Sequence, residues 1–232
     1  MASKTLLCLD KAGFKRKPTK NQTAKISTRI ASNQIELDLH DENELEAFIE
    51  KITTKGHTFT PAIYNKGKNG RYTRSNNSWA GQQLFVLDID NDPDKTSEYY
   101  SLEAFVDLSR KRWGLEPWLC YHSFSSTSDR ERFRVIYLLD HFTEELHIRG
   151  LVQESFKRIF PFADNCHEPA RLFFGSDQGV GYYNPQARIN AVEVFVKARQ
   201  AIYDKDVAAN GTVNNYDRDL RRFLKSTNLL TI

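Results

Sequence analysis

The chain reads FVLDIDND from Phe85 to Asp92, and this stretch decides how the fold is interpreted. Residues 84–89 are almost purely apolar, which is typical of a strand buried on both faces of its sheet. Because strand residues i and i+2 point to the same side, Asp88 and Asp90 should project together where this strand ends. Ionised carboxylates at the rim of a core require a cation or a hydrogen-bonding shell. The stretch therefore predicts a functional carboxylate pair.

Two carboxylates on one side of a sheet suit hard divalent ions such as Mg²⁺ or Mn²⁺, which prefer oxygen ligands. Two such ions, about 3.5–4 Å apart, can clamp the attacking and leaving oxygens of a phosphoryl displacement. The same pattern occurs in haloacid-dehalogenase-type phosphatases and nucleotide-sugar glycosyltransferases, and acids such as Asp92 or Asp94 could instead cap a helix start. The phosphatase interpretation is disfavoured because position 92 is Asp and no later Asp-Asp pair exists.

A second informative segment, residues 121–137, reads YHSFSSTSDRERFRVIY. A hydroxyl-rich turn offers N–H and O–H donors to phosphate oxygens, and the strand after it places Arg132 and Arg134 on one face. Arg binds phosphate through two parallel hydrogen bonds, so the segment predicts a triphosphate clamp; the alternative is a polar hairpin with exposed arginines. His122 could contact phosphate or hydrogen-bond at the sheet rim. The candidate nucleotide-binding residues of this segment are His122, Ser123, Ser125, Ser126, Arg130, Arg132 and Arg134.

The third segment, residues 160–175, reads FPFADNCHEPARLFFG. Asp164 follows a predicted helix and precedes a predicted strand that carries Arg171. A third carboxylate beside Asp88 and Asp90 would complete a two-metal site, and Arg171 would join the nucleotide-binding residues.

Length, net charge and cysteine content limit the class of protein to which the chain can belong. The chain has 232 residues, for which we expect one large domain with appendages, and its formal net charge is +3. A basic cluster of Lys66, Lys68, Arg71 and Arg74 is a candidate DNA-binding surface. The three cysteines include no CxxC pair, so we expect neither disulfides nor a zinc site. With no signal peptide and no apolar run near the roughly 20 residues that span a bilayer, we expect a cytoplasmic protein without a membrane partner.

Hydrophobic periodicity predicts a mixed domain with a largely antiparallel central sheet. The predicted strands lie within 24–39 and at 59–64, 84–89, 118–123, 133–139 and 171–175. The predicted helices lie at about 41–54, 98–113, 143–160 and 190–203. Residues 11–23 are predicted to form a loop or hairpin, 204–214 a linker, and 215–228 a charged amphipathic helix.

The order of these features resembles the archaeo-eukaryotic primase superfamily, which includes the primase-polymerases of plasmids and phages. The resemblance extends over about residues 55–185: an Asp-x-Asp at Asp88 and Asp90, a Ser-rich turn leading into a basic strand, and a later lone Asp164 near Arg171. It implies an α+β fold in which an RNA-recognition-motif-like catalytic unit, about 81–203, packs with an N-terminal α/β unit, about 1–80. A linker and C-terminal helix, 204–232, would follow the 1–203 catalytic domain.

The resemblance also implies a DNA primase-polymerase, a metal-dependent nucleotidyltransferase that works in replication of a plasmid, phage or other mobile element. Asp88, Asp90 and Asp164 would be catalytic and bind two Mg²⁺ or Mn²⁺ ions. The implied partners are a single-stranded DNA template, nucleoside triphosphates and a replicative helicase. Many members have Ser-x-His as the second motif; here Arg134 stands at the His position, unless His122 supplies its function. The alternatives are a non-catalytic replication-initiation protein that binds DNA and another metal-dependent enzyme such as a nuclease or glycosyltransferase.

Overall fold

The computed structural model describes residues 3–164 and 166–210. The strands are β1 (Lys4–Leu9), β2 (Gln34–Asp38), β3 (Phe59–Thr60), β4 (Ala62–Tyr64), β5 (Trp79–Ile89), β6 (Leu119–His122), β7 (Phe133–Thr143) and β8 (Val180–Tyr183). The helices are α1 (Lys20–Arg29), α2 (Glu42–Thr53), α3 (Leu102–Asp107), α4 (Leu146–Ile159) and α5 (Ala191–Asn210). Short helical turns at Ile30–Ser32, Asn76–Ser78 and Leu108–Arg112 complete the elements.

The strands form two antiparallel sheets. The N-terminal sheet has three strands in the order β2-β1-β3, and the larger sheet has five in the order β4-β5-β7-β6-β8. Each strand pairing in both sheets is antiparallel. The prediction of an α+β protein with a largely antiparallel central sheet is therefore confirmed, with β5 and β7 at its centre.

Strand β5 is buried on both faces, as its sequence predicts. On one face, Phe85 and Leu87 belong to a core with Phe156 of α4, Phe105 of α3 and Val194 of α5. On the other face, residues such as Leu84 and Val86 pack with the N-terminal sheet and α2. Since side chains alternate along a strand, Asp88 lies on the same face as Val86 and points toward the N-terminal part of the chain.

The N-terminal region differs from the prediction. Strands were expected within residues 24–39 and a loop over 11–23, but Lys20–Arg29 is a helix and only Gln34–Asp38 is a strand there. The helix begins at a capping box, in which Thr19 and Gln22 exchange backbone and side-chain hydrogen bonds of 2.8 and 3.4 Å. Such a cap satisfies N–H groups at the helix start, and it outweighs the β-branched composition that favours strands.

Three further differences concern the second half of the chain. Residues 171–175 are not a strand, because only a single bridge joins Phe173 to Phe59. Strand β8 was not predicted; its residues are exposed or half-buried and show no buried alternation. Helix α5 continues to Asn210, so 204–210 are helical where a linker was expected.

The predicted helix at 215–228 lies outside the described residues. Within the described part, no helix is long and apolar enough to cross a membrane.

Candidate active site

A cleft of about 250 Å³ opens where β5 and β7 meet the N-terminal segment. Its polar lining consists of Lys17, Asp88, Asp90, Ser123, Ser125, Arg132, Arg134, Asp164 and Arg171. Its apolar lining consists of Phe124, Leu172 and Phe174. The fold thus brings together eight residues that sequence analysis selected from three separate segments.

Asp88 is held between two arginines. It lies opposite Arg134 in the β5–β7 ladder, and Arg134 Nε is 3.3 Å from Asp88 Oδ1. Arg171 Nη2 is 3.7 Å from Asp88 Oδ2. Burial acts to lower the pKa of Arg134, but the charge of Asp88 and contact with Tyr121 outweigh burial, and the pKa is raised. Arg134 Nε makes no hydrogen bond within the described residues, so its contact with Asp88 is charge pairing without hydrogen-bond alignment.

Asp90 and Asp164 share the cleft with Asp88. The Asp164 N–H donates to the Asp88 backbone carbonyl at 2.8 Å, which ties the third acid to the end of β5. Burial raises the pKa of Asp90, and the charges of Asp88 and Asp164 raise it further. Lys95 opposes this accumulation of negative charge, with its Nζ 3.2 Å from Asp164 Oδ1. The three carboxylates are therefore close enough to repel one another.

These carboxylates fit a divalent cation by donor type, because Mg²⁺ and Mn²⁺ prefer oxygen ligands and relieve repulsion among carboxylates. Their side chains are not already arranged as a cage: within residues 3–164 and 166–210, no group of three or more His, Cys, Asp or Glu side chains could hold a metal ion as it stands. In this arrangement Asp88 faces Arg134 and Arg171, while Asp164 faces Lys95. A divalent cation would compete with these basic partners for the carboxylates.

Arg132 contributes a further positive charge to the cleft. Its main chain is fixed, since its N–H donates to Ser126 Oγ at 3.0 Å and its carbonyl accepts from the Ser123 N–H at 2.7 Å. Its Nε is buried and has no hydrogen-bond partner among the described residues, although the side chain lines the cleft. A buried unpaired donor is costly, so this atom indicates a site for an anionic ligand.

Three predicted nucleotide-binding residues lie outside the cleft lining. His122 Nε2 is 3.0 Å from Glu131 Oε2, and its ring packs edge-on against Phe133, which fits a role at the sheet rim. Arg130 donates to the Asp90 carbonyl at 3.1 Å and pairs with Asp92 at 3.0 Å. Ser126 contributes its hydroxyl to the Arg132 main chain.

The predicted DNA-binding residues do not reach the cleft. Lys66, Lys68 and Arg71 are exposed on a turn in which Lys66 pairs with Tyr72. Arg74 instead turns inward, and its guanidinium donates to Ser27 Oγ at 2.7 Å and to the Ala170 carbonyl.

Sequence reasoning missed four lining residues: Lys17, Phe124, Leu172 and Phe174. The only signal for Lys17 was its place in a Lys-rich N-terminal segment. The apolar residues carry no local signal, because an aromatic or Leu beside a polar motif is more often part of the core.

No protein-family model matches the chain, and no curated protein matches it. Among solved structures, the chain is similar to the AEP domain of the cyanophage S-2L primase-polymerase, with 8% sequence identity and a TM-score of 0.43. The superposition covers 85% of this chain and 89% of that domain.

Proposed function

We propose that the protein is a metal-dependent nucleotidyltransferase that works as a DNA primase-polymerase on a single-stranded template. The observation that carries the proposal is the content of one cleft: three carboxylates, three arginines and a hydroxyl-rich turn. Carboxylates that repel one another favour divalent cations, whereas guanidinium groups favour phosphate oxygens. A triphosphate with its bound metal ions requires both.

The proposed roles follow from position in the cleft. Arg132, whose Nε lacks a partner among the described residues, would bind the triphosphate together with the hydroxyls of Ser123 and Ser125. Arg134 and Arg171 pair with Asp88 in the absence of cations and would turn toward phosphate oxygens when the carboxylate binds metal. Each guanidinium would then exchange one anionic partner for another.

Asp88, Asp90 and Asp164 would hold the Mg²⁺ or Mn²⁺ ions. When bound, such ions lower the pKa of an attacking hydroxyl and neutralise the leaving pyrophosphate. Asp90 acts as a ligand only when it is ionised, and its pKa is raised, so metal binding should weaken as the pH falls. The cleft also has an apolar wall, formed by Phe124, Leu172 and Phe174, which suits the flat base or sugar of a nucleotide better than inorganic phosphate.

The deciding experiment is nucleotide incorporation on a single-stranded DNA template with Mg²⁺ or Mn²⁺, with and without a primer. Asp88→Asn/Asp90→Asn is compared with wild type and with Asp107→Asn, a half-buried acid of α3 that pairs with Lys111 and does not line the cleft. We expect product from wild type and Asp107→Asn and none from the double variant. Product without a primer would establish priming. Product that persists in the double variant would exclude the proposed site.

A second candidate function is a replication-initiation protein that binds DNA without catalysis. The observation that favours it is the pairing of Asp88 with Arg134 and Arg171, which stabilises the acid without any metal. It predicts no product from any variant, together with single-stranded DNA binding that survives loss of both acids. Hydrolysis or transfer without a template would instead indicate another metal-dependent enzyme, such as a nuclease or glycosyltransferase.

A further inference from the structure

The segment 164–174, of which the structure describes 164 and 166–174, supplies Asp164, Arg171, Leu172 and Phe174 to the cleft. Its described residues belong to no helix or strand. Its backbone contacts with the sheets are few: Asp164 N–H donates to the Asp88 carbonyl, and Phe173 exchanges two hydrogen bonds of 2.9 Å with Phe59. A segment without a regular ladder must satisfy its remaining carbonyls in another way. Its position therefore depends on side chains from elsewhere in the fold.

Arg149 of α4 meets three of these carbonyls. Its Nη2 donates to the carbonyls of Cys166 and Glu168 at 3.0 and 3.2 Å, and its Nη1 donates to the carbonyl of His167. Its Nε reaches Gln82 Oε1 on β5 at 3.4 Å. The Arg149 guanidinium thus connects α4 with β5 and with three successive carbonyls of the segment.

Arg149 lies in a buried environment in which its donors need acceptors, and the carbonyls of the segment supply them. The residue is only 3% exposed, and it forms no ion pair with a carboxylate in the part of the chain that the structure describes. Burial lowers the pKa of Arg149 to about 10. A buried cation without a counter-charge is costly unless its donors are all used, so the carbonyls of 166–168 must supply that compensation.

Two other arginines hold the later part of the segment in the same way. Arg74 donates to the carbonyl of Ala170, and the Ala170 N–H donates to Asn76 Oδ1 at 3.3 Å. Arg134 Nη1 donates to the carbonyl of Phe174 at 2.6 Å. Guanidinium groups therefore cap carbonyls at the start, middle and end of 164–174.

We propose that Arg149 and Arg74 are positioning residues that set the segment 164–174 and, through it, place Asp164 and Arg171 in the cleft. Neither residue lines the cleft itself. Arg74 thus builds the site and does not join Lys66, Lys68 and Arg71 in a DNA-binding surface. What the placed side chains do rests on the proposed function, but their placement by Arg149 and Arg74 does not.

Hydrogen exchange followed by mass spectrometry tests the placement directly, because it needs neither substrate nor activity. Peptides covering 164–174 and peptides covering β5 are compared in wild type, Arg149→Met and Arg74→Met. Arg110→Met is the matched control: Arg110 is an exposed arginine that pairs with Glu116 at 2.9 Å. Arg149→Lys serves as a second variant that keeps the charge if Arg149→Met does not fold.

We expect exchange in 164–174 to rise by at least about tenfold in both test variants, since each loses charge-assisted hydrogen bonds. Exchange in β5 should stay within about twofold of wild type, and Arg110→Met should match wild type in both sets of peptides. Unchanged exchange in 164–174, or a rise of equal size in β5, would overturn the proposal. Equal rises would mean that the arginines stabilise the whole fold and have no specific effect on this segment.

Mn²⁺ titration followed by electron paramagnetic resonance adds a readout at the site. If the segment places Asp164, Arg149→Met and Arg149→Lys should bind Mn²⁺ at least about tenfold more weakly at a temperature where both are folded. Wild-type affinity in a variant whose segment exchanges faster would contradict the link to the site. A wild-type protein that makes no product on a DNA template would contradict the proposed function alone, and the exchange result would still stand.

Discussion

Arg132 presents the sharpest test at the level of a single residue. Its main chain is fixed by Ser123 and Ser126, so a substitution changes the side chain without moving the turn. We expect Arg132→Lys to weaken triphosphate binding by about tenfold or more, because Lys cannot replace the paired donors of a guanidinium. Equilibrium binding of a fluorescent nucleoside triphosphate gives the affinity.

The matched control is Arg71→Lys, an equally conservative change at an exposed arginine away from the cleft. Its affinity for the triphosphate should equal that of wild type. If Arg132→Lys binds as tightly as Arg71→Lys, the unpartnered Arg132 Nε is not a ligand contact.

Asp90 provides a prediction about pH. Burial and two neighbouring acids raise its pKa in the folded protein above the ordinary value of 3.8. The folded state therefore binds this proton more readily than the unfolded state, and the contribution of Asp90 to stability falls as the pH rises above about 4. Asp90→Asn, which removes the charge, should unfold at a higher temperature than wild type at pH 7, and the difference should shrink toward pH 4.

Added Mn²⁺ should reverse the order of stability of wild type and Asp90→Asn at pH 7. Mn²⁺ stabilises only a protein that binds it, so it should raise the unfolding temperature of wild type at pH 7 and leave Asp90→Asn almost unchanged. Thermal unfolding of wild type and Asp90→Asn at both pH values, with and without Mn²⁺, measures these differences in stability. A wild type that is more stable than Asp90→Asn at pH 7 without metal would show that the carboxylate is not under repulsion.

At the level of elements, α1 depends on its cap. Thr19 Oγ1 accepts from the Gln22 N–H while the Gln22 side chain accepts from the Thr19 N–H. Thr19→Ala should cost about 1 kcal/mol and lower Tm by about 2–4 °C. Thr28→Ala on the same helix is the control, because the Thr28 hydroxyl only bonds back to the Lys25 carbonyl and Ala favours a helix. Equal losses in the two variants would mean that the cap has no special effect.

At the level of the whole molecule, Gly56 lies close to both Phe14 of the N-terminal segment and Phe124 of the Ser-rich turn. Its φ is +69°, and an added Cβ would lie 1.9 Å from the Phe14 carbonyl oxygen and 2.8 Å from Phe124 Cζ. Gly56→Ala should cost about 2–5 kcal/mol and weaken triphosphate binding, since Phe124 lines the cleft. Gly70 has a φ of +72° with nothing within 4 Å, so Gly70→Ala should cost only about 1 kcal/mol. Chemical denaturation compares the two; equal costs would mean that the contact at Gly56 relaxes freely.

Single-stranded DNA binding tests the basic turn at the same scale. If Lys66, Lys68 and Arg71 contact phosphates, replacing all three by Ala should lower the slope of log K against log salt concentration by about 2, since each contact contributes about 0.7. The control replaces Lys4, Lys55 and Lys111, three exposed cations that already pair with acids. Similar slopes for the two triple variants would exclude a specific DNA contact at the turn.

Local sequence was sufficient for the features with short-range causes. The apolar run that ends in Asp88 and Asp90 forms a strand buried on both faces, and Arg132 and Arg134 follow a hydroxyl-rich turn. Local composition predicted the wrong structure in two places. Strands were predicted where a capped helix forms, and also where the chain follows an irregular path. Lys20–Arg29 forms a helix that begins at a capping box. Residues 171–175 meet β3 at a single bridge, and Arg134 donates to the Phe174 carbonyl.

The sequence by itself determined that two carboxylates project from the end of a buried strand, because backbone alternation depends only on neighbouring residues. Only the tertiary structure decided which cations meet them. Arg134 meets Asp88 through strand register, and Lys17 enters the cleft through packing of the N-terminal segment, while His122 contacts Glu131 and Arg74 contacts Ala170. The physical reason is that contacts between distant segments depend on the packing of the whole core, which no short stretch of sequence encodes.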